Sequence, residues 1–106
     1  MISKTMFLDI DGPLATNDSY KTKRYSIQDK ISVPYSWNKD CVDVLNDICK
    51  QTNCQIVISS DWRMHYSLDE LREIFVHQGF KYPEIIIGYT QQVGINKLSE
   101  DFENLR

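Results

Sequence analysis

The sequence contains neither a long apolar run nor a run of basic residues. A membrane-spanning helix needs about 20 consecutive apolar residues, and no such run occurs among the 106 residues. The net charge is −3 and the two signs are interspersed, so the charge pattern does not indicate a nucleic-acid-binding surface. A nucleic-acid end remains open as a substrate. The first apolar strand follows the N-terminus directly, so we expect no signal peptide.

Cysteine is scarce, and its spacing excludes several classes of small protein. The three cysteines are Cys41, Cys49 and Cys54. An odd count without C-x-x-C spacing argues against a disulfide framework or a zinc site. Cys41 and Cys49 share a predicted helix, where they lie about 12 Å apart, too far for a bridge. We therefore expect free thiols and a reducing, cytoplasmic location.

The most informative pattern is a short apolar run that ends in two aspartates. Residues 6–8 predict a buried parallel strand, and Asp9 and Asp11 then bracket Ile10 before Gly12 and Pro13 break the strand. In open α/β sheets ligands bind at the carboxyl ends of the strands. Carboxylates at the end of a buried strand are costly without a compensating cation or hydrogen bonds. The pair therefore predicts a cation site.

The D-x-D-G string also begins calcium-binding EF-hand loops, which is the first alternative to test. Such a loop requires a glutamate at its twelfth position. Counted from Asp9, the twelfth residue is Tyr20. The calcium-loop interpretation is therefore excluded.

Hydrophobic periodicity predicts alternating helices and strands after this point. A helix is predicted over residues 38–52, with Asn38 as its N-cap, and a buried strand over residues 54–58. The apolar face of the helix is formed by residues at helical spacing, which are Val42, Leu45, Ile48 and Cys49. One strand, a helix and a second strand make a βαβ unit with parallel strands.

A second unit follows in the same order. Ser67 and Glu70 form a capping box that begins another helix, and Gly79 is expected to end it. Residues 85–87 predict a third strand, and residues 91–106 a last helix. The fold class is therefore α/β, a three-layer Rossmann-like parallel sheet with flanking helices and an incomplete core of three strands. We expect a single domain over residues 1–106, in which the irregular residues 16–37 form a short insertion containing short strands or a hairpin.

Hydroxyl residues follow the second strand, at Ser59 and Ser60. A hydroxyl and backbone N–H groups at a strand-to-helix turn can hold a phosphoryl oxygen. Two serines after a strand are also common as an ordinary turn or cap. Their position, one crossover after the aspartates, predicts that the two strand ends share one site.

These motifs resemble those of the haloacid dehalogenase-like (HAD) phosphohydrolases. The D-x-D-G string resembles motif I of that superfamily, and residues 59–63, S-S-D-W-R, are similar to the S-S-x-W-R of small capless members, including some associated with RNA-repair proteins and phages. Gly88 and Thr90 resemble the strand-end G-x-T of the same subgroup. Pro13 departs from the usual threonine or valine of motif I.

The resemblance implies roles for particular residues. Asp9 would be the nucleophile and Asp11 the general acid/base, and both would bind Mg²⁺. Ser59 would bind the substrate phosphoryl group, with Ser60 as the displaced alternative. Arg63 would clamp a substrate phosphate or pair with a nearby acid, and it is also explained by an ordinary surface ion pair.

The resemblance also implies an open site. Residues 16–37 suffice for the flap of these proteins but not for a cap domain. An open site admits a phosphorylated small molecule, a phosphoprotein or a nucleic-acid end. Three basic residues of this insertion could meet a substrate phosphate or simply be solvated, namely Lys21, Lys23 and Arg24.

Part of the HAD motif set is missing. No fourth strand with paired acids, motif IV, follows residue 87. Lys97 is a candidate, without diagnostic context, for the motif III base, which would bind the substrate phosphate. The first strand would then be an unprotected edge, which a second copy of the chain could cover. A truncated chain, an assembly with another chain and a short form with weak or no catalysis all remain open.

The sequence therefore predicts a Mg²⁺-dependent phosphomonoester hydrolase that acts through an aspartyl-phosphate. The alternative is a HAD-fold module that binds phosphate or metal without turnover, or a fragment. A receiver-like phosphoacceptor domain is disfavoured, because residues 56–60 supply no aspartate at the strand end.

Overall fold

Strands and helices alternate along the chain, and a small hairpin is inserted after the first strand. The computed structural model describes residues 4–90. The hairpin falls inside the predicted insertion, and the predicted last helix, residues 91–106, and Lys97 lie outside the described residues. The elements are β1 (Thr5–Leu8), β2 (Tyr25–Ile27), β3 (Ile31–Val33), α1 (Lys39–Thr52), β4 (Gln55–Ile58), α2 (Leu68–His77) and β5 (Ile86–Tyr89), with short 3₁₀ helices at Ser19–Lys21, Asp61–Met64 and Pro83–Ile85.

The main sheet is parallel and has the order β1-β4-β5. Leu8 pairs with Ile58, which pairs in turn with Tyr89, so the carboxyl ends of the three strands lie side by side. Both crossovers step in the same direction, and right-handed crossovers of this kind put both helices on one face of the sheet. This confirms the predicted α/β fold with a three-strand parallel core.

The core lies between this sheet and the two helices. It is formed by alternate strand residues and by one face of each helix, which are Leu8, Ile56, Ile58, Ile86, Val42, Leu45, Cys49, Leu71, Ile74 and Phe75. The opposite face of the sheet is exposed in the described part of the chain, where Phe7 is 68% exposed and Ile87 is 46% exposed. Residues 4–90 thus contain two of the three predicted layers.

The ends of the helices follow the predicted capping chemistry. Asn38 Oδ1 accepts the N–H of Cys41 at 3.1 Å, and Ser67 and Glu70 form a complete capping box. Gly79, just after α2, has a φ of +102°, which favours glycine. One prediction for α1 was wrong. Ile48 is 40% exposed, because the buried face of the helix turns towards Asn46, whose amide bridges α1 to the turn after α2.

The third strand begins one residue later than predicted and extends to Tyr89. Ile85 belongs instead to the 3₁₀ helix that Pro83 begins, because proline fixes a φ suited to a helical first turn. β1 pairs only with β4 among residues 4–90, so it is an edge strand of the described sheet.

The three cysteines are free thiols, as predicted. The structure adds a contact that the sequence did not predict, since the sulfur atoms of Cys49 and Cys54 lie 3.8 Å apart in the core. Burial, with the neighbouring thiol, raises the pKa of Cys49 to about 12. Neither helix within residues 4–90 has the length and apolarity that crossing a membrane requires.

Candidate active site

Three strand ends meet at the carboxyl edge of the sheet and carry the predicted site residues. The N–H of Ser59 donates to the carbonyl of Leu8 at 2.7 Å, and the N–H of Thr90 donates to the carbonyl of Ile58 at 2.9 Å. Asp9 and Ser59 are therefore the first residues beyond two paired strands. Both are exposed, so the sheet brings a carboxylate and a hydroxyl together at one solvent-facing edge.

The turn that carries the two aspartates is closed on itself. The carbonyl of Ile10, a completely buried residue, accepts the N–H groups of Leu14 at 3.0 Å and Ala15 at 2.8 Å. The N–H of Gly12 donates to the carbonyl of Ala15 at 2.9 Å, and Gly12 has a φ of +106°, a conformation that favours glycine. With Ile10 fixed in the core, the aspartates on either side of it are held at the surface.

Three aromatic side chains donate hydrogen bonds to the Asp11 carboxylate, and we call them the aromatic clamp: Tyr20, Tyr35 and Trp62. The hydroxyls of Tyr35 and Tyr20 donate to Oδ1, the latter at 3.4 Å, and Trp62 Nε1 donates to Oδ2 at 3.3 Å. The rings of Tyr20 and Tyr35 meet edge to face at 4.9 Å, and those of Tyr35 and Trp62 at 5.5 Å. The clamp fixes the orientation of the proposed acid/base.

The phenols of the clamp keep their protons at neutral pH. Burial and the hydrogen bond to Asp11 raise the pKa of Tyr35 above its ordinary value. Desolvation and the nearby Asp11 charge raise the pKa of Tyr20 as well. Both groups therefore remain hydrogen-bond donors to the carboxylate over the whole neutral range.

Sequence reasoning missed two members of the clamp. Tyr35 lies 24 residues from Asp11 along the chain, inside the irregular insertion, and no motif marks it or Tyr20. Trp62 lies in the S-S-D-W-R string, but no sequence pattern predicts its contact with Asp11. It is buried, as packing requires, but its indole N–H also reaches Asp11.

The two serines after β4 have different environments. Ser60 is 4% exposed, and its hydroxyl oxygen accepts the N–H of Trp62 at 3.3 Å as the N-cap of the 3₁₀ helix. Ser59 is exposed, and the bond from its N–H to the Leu8 carbonyl puts it beside Asp9. The geometry therefore gives Ser60 a structural role and leaves Ser59 accessible to a ligand.

Arg63 is folded back onto its own turn. Its Nη1 donates to the carbonyl of Ser60 and lies 3.8 Å from Asp61 Oδ1. The side chain is only 18% exposed, and its buried Nε has no hydrogen-bond partner among residues 4–90. In this conformation Arg63 braces the turn and pairs weakly with a neighbouring acid, the second of its two predicted roles.

The aspartate pair fits Mg²⁺ by the kind of atoms it offers. Mg²⁺ prefers oxygen ligands and is usually bound by one or two carboxylates together with waters and substrate phosphates. Oδ1 of Asp9 accepts the N–H of Ile10 at 2.7 Å, which leaves Oδ2 without a donor in the described residues. No group of three or more His, Cys, Asp or Glu residues that could hold a metal occurs within residues 4–90.

Comparison with known proteins gives a family match. Neither the curated proteins nor the solved structures gave a significant match. A family model, described as the HAD domain in Swiss Army Knife RNA repair proteins, matches residues 5–104. The match covers both aspartates and the serine turn, and at the superfamily level it makes the chain a HAD-type phosphohydrolase domain. The chain belongs to the family of HAD domains found in Swiss Army Knife RNA repair proteins.

Proposed function

We propose that the chain is a Mg²⁺-dependent phosphomonoester hydrolase that acts through an aspartyl-phosphate at Asp9. The observation that carries this proposal is the contact between the two strand ends. The hydrogen bond from Ser59 to Leu8 sets an exposed carboxylate beside an exposed hydroxyl. Such a pair offers a nucleophile and a neutral phosphoryl-binding donor at the edge where α/β sheets bind ligands.

The chemistry assigns one role to each aspartate. An oxygen of Asp9 attacks phosphorus while the bond from phosphorus to the leaving oxygen breaks, and Asp11 gives its proton to that oxygen. Asp11 then takes a proton from a water molecule that attacks the aspartyl-phosphate. The bond between phosphorus and Asp9 breaks, and inorganic phosphate leaves. Hydrogen bonds from the aromatic clamp hold the Asp11 carboxylate, and in this proposal they orient it for both proton transfers.

Asp9 and Asp11 are the residues that would hold Mg²⁺. When bound, the ion neutralises the charge that otherwise repels a phosphate dianion from two carboxylates. Lys97 and Arg63 were predicted to bind substrate phosphate. Lys97 keeps that role as a proposal, whereas Arg63 would first have to leave the Ser60 carbonyl.

For the substrate we favour the phosphorylated end of a nucleic acid, since the family is described from RNA repair proteins. A small phosphorylated molecule and a phosphoprotein remain the alternatives for an open site. Because all three cysteines are free thiols, we also propose a cytoplasmic location.

A hydrolysis assay with p-nitrophenyl phosphate tests this proposal. Turnover should require Mg²⁺ and fall by at least a thousandfold in Asp9→Asn, because the amide is not a nucleophile. The matched control is Asp43→Asn, an exposed aspartate on α1 that pairs with Lys39, and it should retain activity. The assignment is contradicted if Asp43→Asn loses activity or if Asp9→Asn keeps it.

The second candidate is a phosphate- or metal-binding module without turnover. It is favoured by the observation that residues 4–90 offer no third acidic ligand beside the aspartate pair. Binding of inorganic phosphate or Mg²⁺ by a folded wild-type chain that hydrolyses no phosphomonoester would establish this alternative.

We also propose that β1 pairs with a second copy of the chain. Its outer edge has no partner strand among residues 4–90, and unpaired edges readily template such pairing. The carbonyls of Lys4 and Leu8 face β4, so the N–H of Phe7 lies on the outer edge, and proline at this position removes it. Sedimentation of the wild-type chain and of Phe7→Pro tests the proposal. A monomeric wild-type chain contradicts it.

A further inference from the structure

A groove lies between the β2–β3 hairpin and the beginning of α2, outside the aspartate site. We call it the hairpin groove. Its volume is about 550 Å³, within the range of small-molecule sites. The residues that matter for its chemistry are Arg24, Lys30, Ser32, His65, Tyr66 and Glu70.

The charge of the groove is biased towards cations. Arg24 and Lys30 are exposed, and neither has a carboxylate within 4 Å among the described residues. Arg24 Nη1 is steadied by a 2.9 Å hydrogen bond to the hydroxyl of Ser32. Glu70 is the acid that lines the groove, and its Oε1 accepts the N–H of Ser67 at 2.8 Å as part of the capping box. An anion therefore meets two available cations here.

The cations near the aspartates are less available than these two. Arg63 donates to the Ser60 carbonyl, and Lys21 lies 3.8 Å from Asp18. A substrate phosphate close to two carboxylates therefore gains little from either. Among the described residues, Arg24 and Lys30 of the hairpin groove are cations that no carboxylate engages.

Aromatic rings connect the groove to the aspartate site. Tyr66 lines the groove, and its ring lies 5.7 Å from that of Trp62 at an interplanar angle of 30°. Trp62 in turn donates to Asp11. The Tyr66 hydroxyl donates to the carbonyl of Ser32, which ties this ring to the hairpin. The groove is therefore separated from Asp11 by only two adjoining side chains.

We infer that the hairpin groove binds the nucleotide next to the phosphorylated end of a single-stranded nucleic acid whose terminal phosphate lies at Asp9. This inference rests on the proposed function. The groove offers Arg24 and Lys30 to a phosphodiester and the Tyr66 ring to an unpaired base, the combination that single strands use. A phosphopeptide carries no phosphodiester beside its phosphate, so it matches the groove less well.

Fluorescence anisotropy with the Asp9→Asn protein, which should not turn the probe over, tests the inference. The probe is a fluorescein-labelled hexanucleotide, phosphorylated at its 5′ end in one series and at its 3′ end in another. The combined change Arg24→Gln and Lys30→Gln should weaken binding on the order of tenfold. It should also reduce the slope of log K against log salt by about 0.7 for each phosphate that the variant no longer neutralises.

The matched control is Lys50→Gln on the same background, because Lys50 is an exposed lysine of α1 that does not line the groove. The inference would be overturned if the double variant bound the probe with the same affinity, and the same dependence of log K on log salt, as the control. A phosphoserine hexapeptide bound as tightly, with the same dependence on Arg24 and Lys30, would overturn the nucleic-acid assignment.

Kinetics of the wild-type chain separate this inference from the proposed function. If the chain hydrolyses a phosphorylated mononucleotide and the corresponding dinucleotide with the same kcat/KM, the groove inference fails while the proposed function stands. Binding that depends on Arg24 and Lys30 without hydrolysis of any phosphomonoester means that the groove inference stands and the proposed function fails.

Discussion

Replacement of Tyr35 by phenylalanine isolates the role of the aromatic clamp. The change removes one hydroxyl and keeps the ring that packs against Tyr20 and Trp62. A hydrogen bond to a charged group contributes about 1.5–3 kcal/mol. We expect the lower end, since Asp11 is exposed and Trp62 still donates to it. About 1.5 kcal/mol corresponds to a loss of about tenfold in rate.

The assay compares kcat/KM for two substrates that differ in their leaving groups. An alkyl alcohol needs a proton from Asp11 when it leaves, whereas p-nitrophenolate needs it much less. We therefore expect about a tenfold loss for the alkyl phosphate in Tyr35→Phe and a clearly smaller loss for p-nitrophenyl phosphate. The control is Tyr25→Phe, whose hydroxyl accepts from Gln78 Nε2 at 2.6 Å, away from Asp11. Equal losses for both substrates, or none, would refute the positioning role.

Three further predictions concern stability. Ser60→Ala should lower the free energy of unfolding by about 1 kcal/mol, because it removes an N-cap, whereas Ser59→Ala should change it by less than about 0.5 kcal/mol. Urea denaturation measures both, and equal losses would contradict the different environments of the two serines. Asn46→Ala should cost about 2 kcal/mol in the same experiment, since it removes the two hydrogen bonds that this buried side chain makes with the backbone of the turn after α2. Burial raises the pKa of Tyr25 to about 12, from an ordinary value of 10.0. The unfolded chain therefore loses this proton first, and stability should be retained below pH 10 and fall between pH 10 and 12. Tyrosinate absorbance followed against pH, with urea denaturation at the same pH values, checks this. Titration of all the tyrosines near pH 10 in the folded chain would contradict it.

The sequence was sufficient wherever the determining residues are neighbours in the chain. The N-cap at Asn38, the capping box at Ser67 and the turn at Gly12 each depend on residues a few positions apart. Local chemistry of this kind can be deduced from spacing alone. The exposed Ile48 marks the limit, because helical spacing does not reveal which way an amphipathic face is turned by a polar bridge such as that of Asn46.

The site was predictable in part for the same reason. Asp9 and Asp11 flank Ile10 just beyond the end of β1, and a strand-end motif also marks Ser59. The hydroxyl of Tyr35 reaches Asp11 only because of the path that residues 16–37 take, and that path has no periodicity from which to deduce it. The orientation of Arg63 is set by the Ser60 carbonyl, a contact that composition and spacing do not reveal.

The pairing of β1 with β4 also has a consequence for how the chain folds. Thr5 pairs with Gln55, so the two strand ends that form the site are brought together by one of the longer loop closures of the described chain. Closure of such a loop costs entropy before any contact offsets it. The turn at Gly12 can form early, from residues close in sequence, but Asp9 and Ser59 become neighbours only when the parallel pair forms. Refolding rate and recovery of activity should therefore follow the same kinetic phase.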